Sequence, residues 1–302
     1  MVSSSCGSLL QLRAVSIEPD YNAGMSHPSD DLLRRCQVFR ELHEAGCFVI
    51  PNPWDRGSAH LLVQLGFKAL ATTSSGFAWS IARSDNHARL EEALEHFRSI
   101  ASVVTVPVSA DFEHGFAADA DRVGANVATV AGTGVAGVSI EDSTGDSTDP
   151  LFAFDLAVER IKAARSAIAG SGVPLVLTAR SEGFLVGRPD LAETIRRLVA
   201  YADAGADCVY APGIRDRADI SAIVSAVAPV PVNVLVGSDF TTVEELAALG
   251  VRRISVGGAL ARFAWTSFLA AASEIADRGT FSALARGMPF AELDARFKRD
   301  RS

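Results

Sequence analysis

Cysteine is scarce in this sequence, and its spacing argues against one common use of the residue. The four cysteines, Cys6, Cys36, Cys47 and Cys208, include no C-x-x-C pair and form no dense framework. A chain held together by disulfides needs closely spaced cysteines. We therefore expect free thiols in a reducing compartment and no disulfide bonds.

Positive charge is also in short supply. The chain has 28 Lys and Arg residues against 36 Asp and Glu residues, which gives a formal net charge of -8. Nucleic-acid binding needs a basic face that contacts phosphates, so this balance argues against a nucleic-acid partner. A small anionic substrate would have to find positive charge locally, from an arginine or a metal ion.

Long apolar runs and a secretion signal are missing as well. The sequence has no apolar stretch of membrane-spanning length, and its first residues lack the basic start and apolar stretch of a signal peptide. These absences predict a cytoplasmic protein without a membrane partner. Residues 1–24 are rich in Ser and Gly, and Met25 is a candidate start. We expect a disordered extension over residues 1–27 and a single domain over residues 28–302.

A regular series of short apolar runs is present instead. Short segments that are apolar throughout are typical of strands buried on both faces of a parallel sheet. Eight such runs occur, at residues 47–50, 68–71, 106–110, 136–140, 174–178, 207–211, 232–235 and 253–256.

Helical patterns alternate with these runs. Apolar residues recur at steps of three and four in segments such as 88–103, 154–169 and 191–204. A glycine just before a strand is typical of a helix C-cap in the left-handed region. Five glycines have this position, namely Gly46, Gly66, Gly134, Gly205 and Gly250.

The alternation of eight strands and helices predicts an α/β fold. Its length matches a closed (β/α)8 TIM barrel better than an open doubly wound sheet. The helical patterns at 263–277 and 290–298 exceed what the last barrel helix needs. We expect them to form extra C-terminal helices, part of which packs on a neighbouring subunit.

One motif is misleading. Residues 132–137 fit the G-x-G-x-x-G pattern of a dinucleotide-binding loop. Such a loop follows a strand and begins a helix, whereas this one ends a helix and begins a strand. The sequence therefore argues against NAD binding.

Acidic residues follow the third and fourth predicted strands. Asp111 and Glu113 come at the end of the third run, and Glu141 ends the fourth. Such strand ends meet at the mouth of a barrel, where several carboxylates repel unless a cation lies between them. A hard divalent ion with oxygen ligands would meet that need. The alternative is that Asp111 and Glu141 cap the following helices, a role for which Asp142 is better placed than Glu141.

A basic residue and a hydroxyl-rich segment end two other runs. Arg180 ends the fifth run, and its planar guanidinium suits a substrate carboxylate. The alternative is an ion pair with Glu182 or Glu141. Residues 72–76 follow the second run and could hold a carboxylate through hydroxyl and N–H groups, or could form a plain turn.

Eight short motifs stand along the chain in a set order. They are Asn52-Pro53-Trp54-Asp55, Ser74-Ser75-Gly76 followed by Asp85, Asp111-Phe112-Glu113-His114-Gly115, Ile140-Glu141-Asp142, Ala179-Arg180-Ser181-Glu182, Ala204-Gly205-Ala206-Asp207, Pro231-Val232-Asn233 and Gly250-Val251-Arg252-Arg253-Ile254-Ser255. In their order and spacing they resemble the isocitrate lyase/phosphoenolpyruvate mutase superfamily, from Phe39 to about Ala264. The resemblance implies a Mg2+-dependent barrel, with Mn2+ as an alternative ion, that acts on small α-keto or α-hydroxy carboxylic acids through a pyruvate-like enolate. It also implies a homo-oligomer, a dimer of dimers with a swapped C-terminal helix.

Roles follow from the resemblance by position. Asp111 is similar to the direct metal ligand. Three further acids resemble ligands that act largely through bound water: Glu113, Glu141 and Asp85. The residues that resemble the family's set for binding the substrate carboxylate are Arg180, Ser75, Gly76 and Asn233. Arg180 and Asp85, together with His114, are the catalytic candidates.

The sequence also departs from the family pattern. Glu113 stands where the family commonly has Asp. The lyases have a Lys-x-Cys-Gly-His loop after the third strand, where this chain has only His114-Gly115-Phe116. The mutases have Lys and Asn in the loop after the fourth strand, and residues 143–148 contain neither.

A general acid must therefore come from elsewhere. His114 could donate or accept a proton near neutral pH, or it could be an ordinary loop residue. Asp146, in a Gly/Ser/Thr-rich loop, is a second candidate. The remaining histidines that follow helical patterns are expected at the surface, namely His43, His60, His87 and His96.

The sequence predicts a Mg2+-dependent carbon–carbon lyase or decarboxylase for a small carboxylic acid. Asn233 favours this side, because the lyases have Asn there. The first alternative is P–C chemistry, as in a phosphonomutase or phosphonopyruvate hydrolase. The second is a barrel that binds a keto acid and a metal without turnover.

Overall fold

The computed structural model describes residues 28–298, and its centre is one sheet of eight parallel strands. The extension expected over residues 1–27 lies outside the described residues. The strands are β1 (Phe48–Ile50), β2 (Leu70–Ala71), β3 (Val108–Asp111), β4 (Gly137–Glu141), β5 (Val176–Arg180), β6 (Cys208–Tyr210), β7 (Val232–Leu235) and β8 (Arg253–Ser255).

The strands curve into a nearly closed barrel. Hydrogen-bonded neighbours follow the order β1-β8-β7-β6-β5-β4-β3-β2. Its two ends are joined by the Ala71 N–H, which donates to the Pro51 carbonyl at 3.1 Å. The (β/α)8 TIM barrel predicted from the apolar runs is confirmed.

Helices surround the barrel and alternate with the strands. None of those in residues 28–298 has the length and apolar composition of a membrane span. They are α1 (Asp30–Glu44), α2 (Arg56–Gln64), α3 (Ser74–Ser80), α4 (Leu90–Ala101), α5 (Ala120–Ala131), α6 (Phe154–Ser171), α7 (Leu191–Asp203), α8 (Arg217–Val227), α9 (Val243–Ala248), α10 (Ala259–Arg278), a 3-10 helix (Ser282–Arg286) and α11 (Phe290–Phe297).

The turns that lead into the strands follow the sequence signals. All five glycines that precede a predicted strand have positive φ, for example 99° at Gly205, which a side chain would strain. The G-x-G-x-x-G segment lies between the end of α5 at Ala131 and the start of β4 at Gly137. It therefore leads from a helix into a strand, as predicted.

Helix α1 packs across the N-terminal end of the barrel. The Phe39 ring is fully buried and lies so close to Gly137 that a Cβ there would be 2.6 Å from it. His43 is buried in the same layer and accepts from the Arg253 guanidinium at 3.4 Å. Helix α1 thus packs at the end of the barrel where β4 and β8 begin.

Two of the histidines expected at the surface are buried. His43 and His96 are 6% and 8% exposed. Each lies on the inner face of an amphipathic helix, which the helix period alone did not reveal. The surface prediction was wrong for this pair, because each ring packs against a phenylalanine: His43 on Phe39 and His96 on Phe77.

The predicted C-terminal helices are present beyond the barrel. Only Ala261 and Glu274 are buried in α10, whereas Phe263 is 75% exposed. Helix α11 returns to α2, where His60 bonds to the Arg296 carbonyl at 3.0 Å and stacks on Phe297. Exchange of this tail between subunits stays a prediction.

Candidate active site

A cavity of about 200 Å³ opens at the C-terminal ends of the strands. The segment after β2 and the acids Asp85 and Asp111 form one wall. Tyr210, Leu235 and Ser255, from β6, β7 and β8, form the opposite wall. This end of a barrel is where such folds place their catalytic residues.

A larger groove of about 480 Å³ lies outside the barrel mouth, between the loops after β4 and β5. Its buried cation, Arg197, pairs with Asp142 and Glu193. Of its lining acids, Asp190 caps α7 and Glu193 pairs with Arg196 and Arg197, so both already have partners. We therefore assign the chemistry to the smaller one.

Arg180 stands at the centre of the acidic cluster. Its Nη1 lies 2.8 Å from Asp111 Oδ1, its Nη2 lies 3.1 Å from Glu141 Oε2, and its Nε lies 2.7 Å from Glu182 Oε1. The ion pairs that the sequence left as an alternative are therefore present. Because each Nη nitrogen has two hydrogens, the guanidinium can still donate to a substrate carboxylate.

The cluster has more negative than positive charge. Burial, Asp111 and Asp85 raise the pKa of Glu113 to about 8. Burial also raises the pKa of Glu141 well above its usual value, despite the nearby Arg180. Desolvation and Asp111 raise the pKa of Asp85 in the same direction. Carboxylates under such repulsion either hold protons or attract a cation.

The donor set fits a hard divalent ion that keeps much of its water. Within residues 28–298, no three His, Cys, Asp or Glu side chains are arranged to hold an ion by themselves. Mg2+ commonly uses one or two carboxylates and several waters. The excess of carboxyl oxygens around Asp111 meets that requirement.

Asp111 is held in place by neighbouring strands. Its Oδ2 accepts from the Ser74 N–H at 2.9 Å, and its own N–H donates to Thr72 Oγ1 at 2.8 Å. Asn52 in turn donates to the Thr72 carbonyl at 2.8 Å and accepts from the Gly257 N–H at 2.8 Å. These bonds tie β1, β2, β3 and β8 together around the acid.

Glu113 reaches the site by a different route from the one predicted. Strand alternation would have placed it beside Asp111, but β3 ends at Asp111. Glu113 instead has a φ of 48° and lies in a tight turn closed by a bond from the Gly115 N–H to the Phe112 carbonyl. The turn buries the carboxyl to 4% exposure.

The helix-cap alternatives are wrong for this rim. Helix α5 is capped by Asp119, and α6 begins at Phe154 without a side-chain cap. Asp142, predicted as the better cap, instead accepts from the Glu182 N–H at 2.8 Å and the Tyr201 hydroxyl at 2.6 Å. It therefore fixes the segment after β5.

The segment after β2 is the first turn of a short helix rather than a plain turn. Thr73 caps α3, and Ser75 lines the cavity. Gly76 lies behind Ser75, where a Cβ would be 2.7 Å from the Thr73 side chain and 2.9 Å from Trp54 Cβ. Close packing requires the glycine there.

Asn233 lies under the cavity and is 1% exposed. Its Oδ1 accepts from Arg253 Nε at 2.9 Å, and its Nδ2 donates to Ser255 Oγ at 2.9 Å. Both partners line the cavity. In this structure the amide therefore meets the cavity through Arg253 and Ser255.

The two predicted general acids lie away from the cavity. His114 is not among the lining residues, and its carbonyl accepts from Arg160. Burial and Arg160 lower the pKa of the His114 ring. Asp146 is in an exposed loop, where it accepts from the Thr148 hydroxyl at 2.8 Å. The cysteines in the described residues, Cys36, Cys47 and Cys208, are also absent from the lining.

Sequence reasoning missed Tyr210. This residue ends β6, pairs in register with Arg180 and Asn233, and lines the cavity. Its ring centroid lies 5.2 Å from Arg180 Cζ. Its position at the end of a predicted strand was the available signal. An aromatic residue at such a position is ordinarily interpreted as part of the hydrophobic core.

The fold and this acidic rim define a class, the (β/α)8 barrels of the phosphoenolpyruvate mutase/isocitrate lyase superfamily. The family model described as phosphoenolpyruvate phosphomutase matches residues 39–276. The chain belongs to this family.

Three known proteins show how close the relatives are. A protein of Burkholderia cenocepacia J2315, provisionally assigned as a lyase or mutase, is 46% identical with a TM-score of 0.86, over 90% of this chain and 98% of its own. An oxaloacetate acetylhydrolase, solved with its product oxalate, is 27% identical with a TM-score of 0.76, over 86% and 93%. The oxaloacetate decarboxylase of Marinomonas sp. (strain MWYL1) is 30% identical over 80% of this chain and 84% of its own. The relatives are lyases or mutases of the superfamily.

Proposed function

We propose that this protein is a Mg2+-dependent carbon–carbon lyase or decarboxylase that acts on a small α-keto or α-hydroxy carboxylic acid in the cytoplasm. The observation that supports it most is the cluster of five carboxyl groups around one guanidinium at the mouth of the barrel. Oxaloacetate is the first substrate to test, because relatives include an oxaloacetate decarboxylase and an oxaloacetate acetylhydrolase.

The acids divide into two roles in this proposal. Asp111 binds the ion directly, and Asp85, Glu113 and Glu141 hold it through water. Mn2+ would fit the same ligands. When bound, the ion supplies a Lewis acid that stabilises negative charge on the substrate oxygen.

Substrate binding falls to the other polar groups of the rim. Arg180 donates its remaining N–H groups to a substrate carboxylate, and Ser75 faces the same carboxylate from α3. Gly76 supports Ser75 from behind, because its N–H already donates to Thr73 Oγ1 at 3.3 Å. Asn233 acts from below through Ser255, to which its Nδ2 is bonded. The small cavity, about 200 Å³, suits a dicarboxylic acid of this size.

Phosphonate chemistry is the second candidate, favoured by the description of the matching family model. The charges in the cavity favour the carbon–carbon lyase or decarboxylase over phosphonate chemistry. A phosphonate has more negative charge than a carboxylate, yet the cations that line this cavity are Arg180, already bound to three carboxylates, and Arg253. The third candidate function is binding of a keto acid and a metal without turnover.

The decisive experiment compares bond cleavage across substrates. Purified protein with Mg2+ is incubated with oxaloacetate, 2-methylisocitrate, isocitrate, dimethylmalate or phosphonopyruvate, and the release of keto acid and phosphate is followed. Keto acid without phosphate supports the lyase proposal. Release of phosphate, or conversion of phosphonopyruvate to phosphoenolpyruvate, supports the phosphonate alternative. Keto-acid binding without any turnover supports the third candidate.

Matched variants identify the site. Asp111→Ala should abolish turnover, because it removes the acid assigned to direct metal binding. Asp121→Ala removes one carboxyl from the exposed face of α5 and should leave turnover unchanged. Equal activity in both variants would contradict the assignment of this cavity.

A further inference from the structure

Among residues 28–298, no cysteine or histidine lines the cavity to donate a proton to the carbon that loses its bond. The described cysteines, His114 and Asp146 do not line the cavity. The hydroxyl groups that do line it are mostly aliphatic, such as those of Ser75 and Ser139. A phenol, with an ordinary pKa of about 10, is a far better acid than an aliphatic hydroxyl. Tyr210 is the phenol of this cavity.

Tyr210 stands across the cavity from the acids assigned to the metal. Asp85 and Asp111 belong to the wall formed after β2 and β3, whereas Tyr210 ends β6 on the opposite side. A small acid bound between the walls would present one face to the carboxylates and the other to the phenol. The Tyr210 side chain is only 7% exposed, so bulk water has little access to that face.

A chain of hydrogen bonds leads from Arg253 through Asn233 to Ser255, which lines the cavity with Tyr210. Arg253 can only donate, so Asn233 turns its carbonyl oxygen toward Arg253 and its NH2 toward Ser255. Ser255 Oγ is then an acceptor from Asn233, and its own hydrogen is available for the Tyr210 oxygen. Ser255 acts to lower the pKa of Tyr210, the direction expected when the Ser255 hydroxyl is the donor. A phenol oriented in this way keeps its own hydrogen for the cavity.

Arg253 anchors this chain from the floor of the cavity. It is 4% exposed, and its hydrogen-bond partners are neutral: Asn233, Thr178 and His43. A buried cation with neutral partners favours negative charge in its surroundings. Together with Arg180 it makes this wall of the cavity suitable for a transient anion.

We propose that Tyr210 is the proton donor of the site and that Arg253, Asn233 and Ser255 are its positioning residues. The inference rests on the proposed lyase function. In decarboxylation, the bond to the leaving carboxylate breaks, CO2 departs, and the electron pair of that bond becomes the enolate. The Tyr210 O–H bond breaks, its proton forms the new C–H bond, and water then reprotonates the phenolate.

Two features support this assignment. Burial raises the pKa of Tyr210 to about 12, so the hydroxyl is protonated at neutral pH and is still a far stronger acid than a serine hydroxyl. The Arg180 guanidinium, 5.2 Å from the ring centroid, stabilises the phenolate until it is reprotonated. The role differs from that of Arg180 itself, which has no dissociable proton near neutral pH.

The test bypasses bond cleavage by supplying an enol directly. The enol of 2-oxobutanoate is released from its phosphate ester by a phosphatase in D2O, with Mg2+ and the protein present. Wild-type protein should accelerate ketonisation and place deuterium on one face of C3. Tyr210→Phe keeps the ring but should lose at least about 100-fold of the acceleration and give equal deuterium on both faces.

A second tyrosine serves as the matched control. Tyr201→Phe also removes a buried phenol hydroxyl, but that hydroxyl donates to Asp142 outside the cavity. This variant should keep the wild-type rate and a single C3 configuration. A loss of stereochemistry in Tyr201→Phe equal to that in Tyr210→Phe would overturn the assignment.

Ser255→Ala keeps the inference testable if Tyr210→Phe does not fold. It removes the hydroxyl proposed to donate to the phenol, so ketonisation should slow by about 5- to 10-fold and both C3 configurations should appear. Wild-type rate and configuration in Ser255→Ala would overturn the positioning role. Wild-type behaviour in a folded Tyr210→Phe would overturn the donor role.

The outcome is separable from that of the substrate survey. Wild-type protein that ketonises the enol but cleaves none of the acids supports the donor and refutes the proposed substrates. Wild-type protein that cleaves an acid but does not accelerate ketonisation supports the lyase and refutes the donor.

Discussion

Arg180 is the residue on which the electrostatics of the site depend. Its three nitrogens each meet a different carboxylate, from β3, β4 and the segment after β5. Only a guanidinium has the geometry for three such contacts, since a lysine ammonium is a single compact charge. Substitution of this residue therefore affects the acids as well as the substrate.

We expect Arg180→Lys to lower kcat/KM for the preferred acid by about 100-fold or more, because two buried carboxylates lose their partner. Steady-state kinetics with each variant measures the effect. Arg196→Lys is the control, since Arg196 is exposed and pairs with Glu193 one turn away. Wild-type kinetics in Arg180→Lys would show that the guanidinium geometry is not needed.

Buried His43 makes the free energy of unfolding of the barrel depend on pH. Burial and the neighbouring Arg253 lower the pKa of His43 to about 3. In the unfolded chain the ordinary pKa is about 6.5, so below that pH the unfolded state binds a proton that the folded state excludes. Stability from this residue is therefore full above about pH 6.5 and is lost as the pH falls toward 3.

The prediction is that wild-type protein loses stability relative to His43→Gln as the pH falls from 7.5 to 5. The difference between their free energies of unfolding should change by up to about 1.4 kcal/mol per pH unit below pH 6.5. Urea denaturation at several pH values measures it. A pH-independent difference would mean that the pKa of His43 is the same in the folded and unfolded states.

At the scale of single elements, the sequence predicted positions well and contacts poorly. Apolar runs located all eight strands, because burial on both faces leaves a local signature. The partners of Arg180 come from three separate segments, and no local pattern encodes them. The hydrogen bonds from Arg253 through Asn233 to Ser255 were missed for the same reason, since they join β7 and β8 through side chains. Glu113 was placed at the correct rim, but its positive φ belongs to a turn that alternation does not describe.

Helix α3 depends on one glycine for its approach to the cavity. A Cβ at Gly76 would lie 2.7 Å from the Thr73 side chain, 2.9 Å from Trp54 Cβ and 3.2 Å from Ala261 Cβ. The backbone must shift to admit it, which costs about 1–3 kcal/mol. The shift would move Ser75, which lines the cavity.

We therefore expect Gly76→Ala to raise KM more than it lowers kcat, and to reduce thermal stability. Kinetics and thermal denaturation test this together. Gly170→Ala is the control: it lies in α6 with nothing within 4 Å of the added Cβ. That change should be neutral or slightly stabilising, because alanine favours a helix more than glycine does. Equal effects of the two substitutions would contradict the close packing at Gly76.

At the scale of the whole molecule, the C-terminal tail leaves much apolar surface uncovered. Phe263, Phe268 and Leu269 of α10 are 75%, 59% and 58% exposed, and Phe290 of α11 is 84% exposed. Large apolar side chains left exposed along the helices of one tail are typical of a protein interface. We propose that it is buried in a homo-oligomer, a dimer of dimers as the resemblance implies.

Light scattering at micromolar concentration should therefore give a mass several times the 31.8 kDa of one chain. Phe268→Glu places a charge on the apolar face of α10 and should shift the mass toward that of a single chain, because burying an unpaired carboxylate is unfavourable. Val243→Glu introduces the same charge at a residue that is 48% exposed at the start of α9 and should leave the mass unchanged. A monomeric wild-type protein, or an oligomer unaffected by Phe268→Glu, would show that the exposed face of α10 is not the contact between subunits.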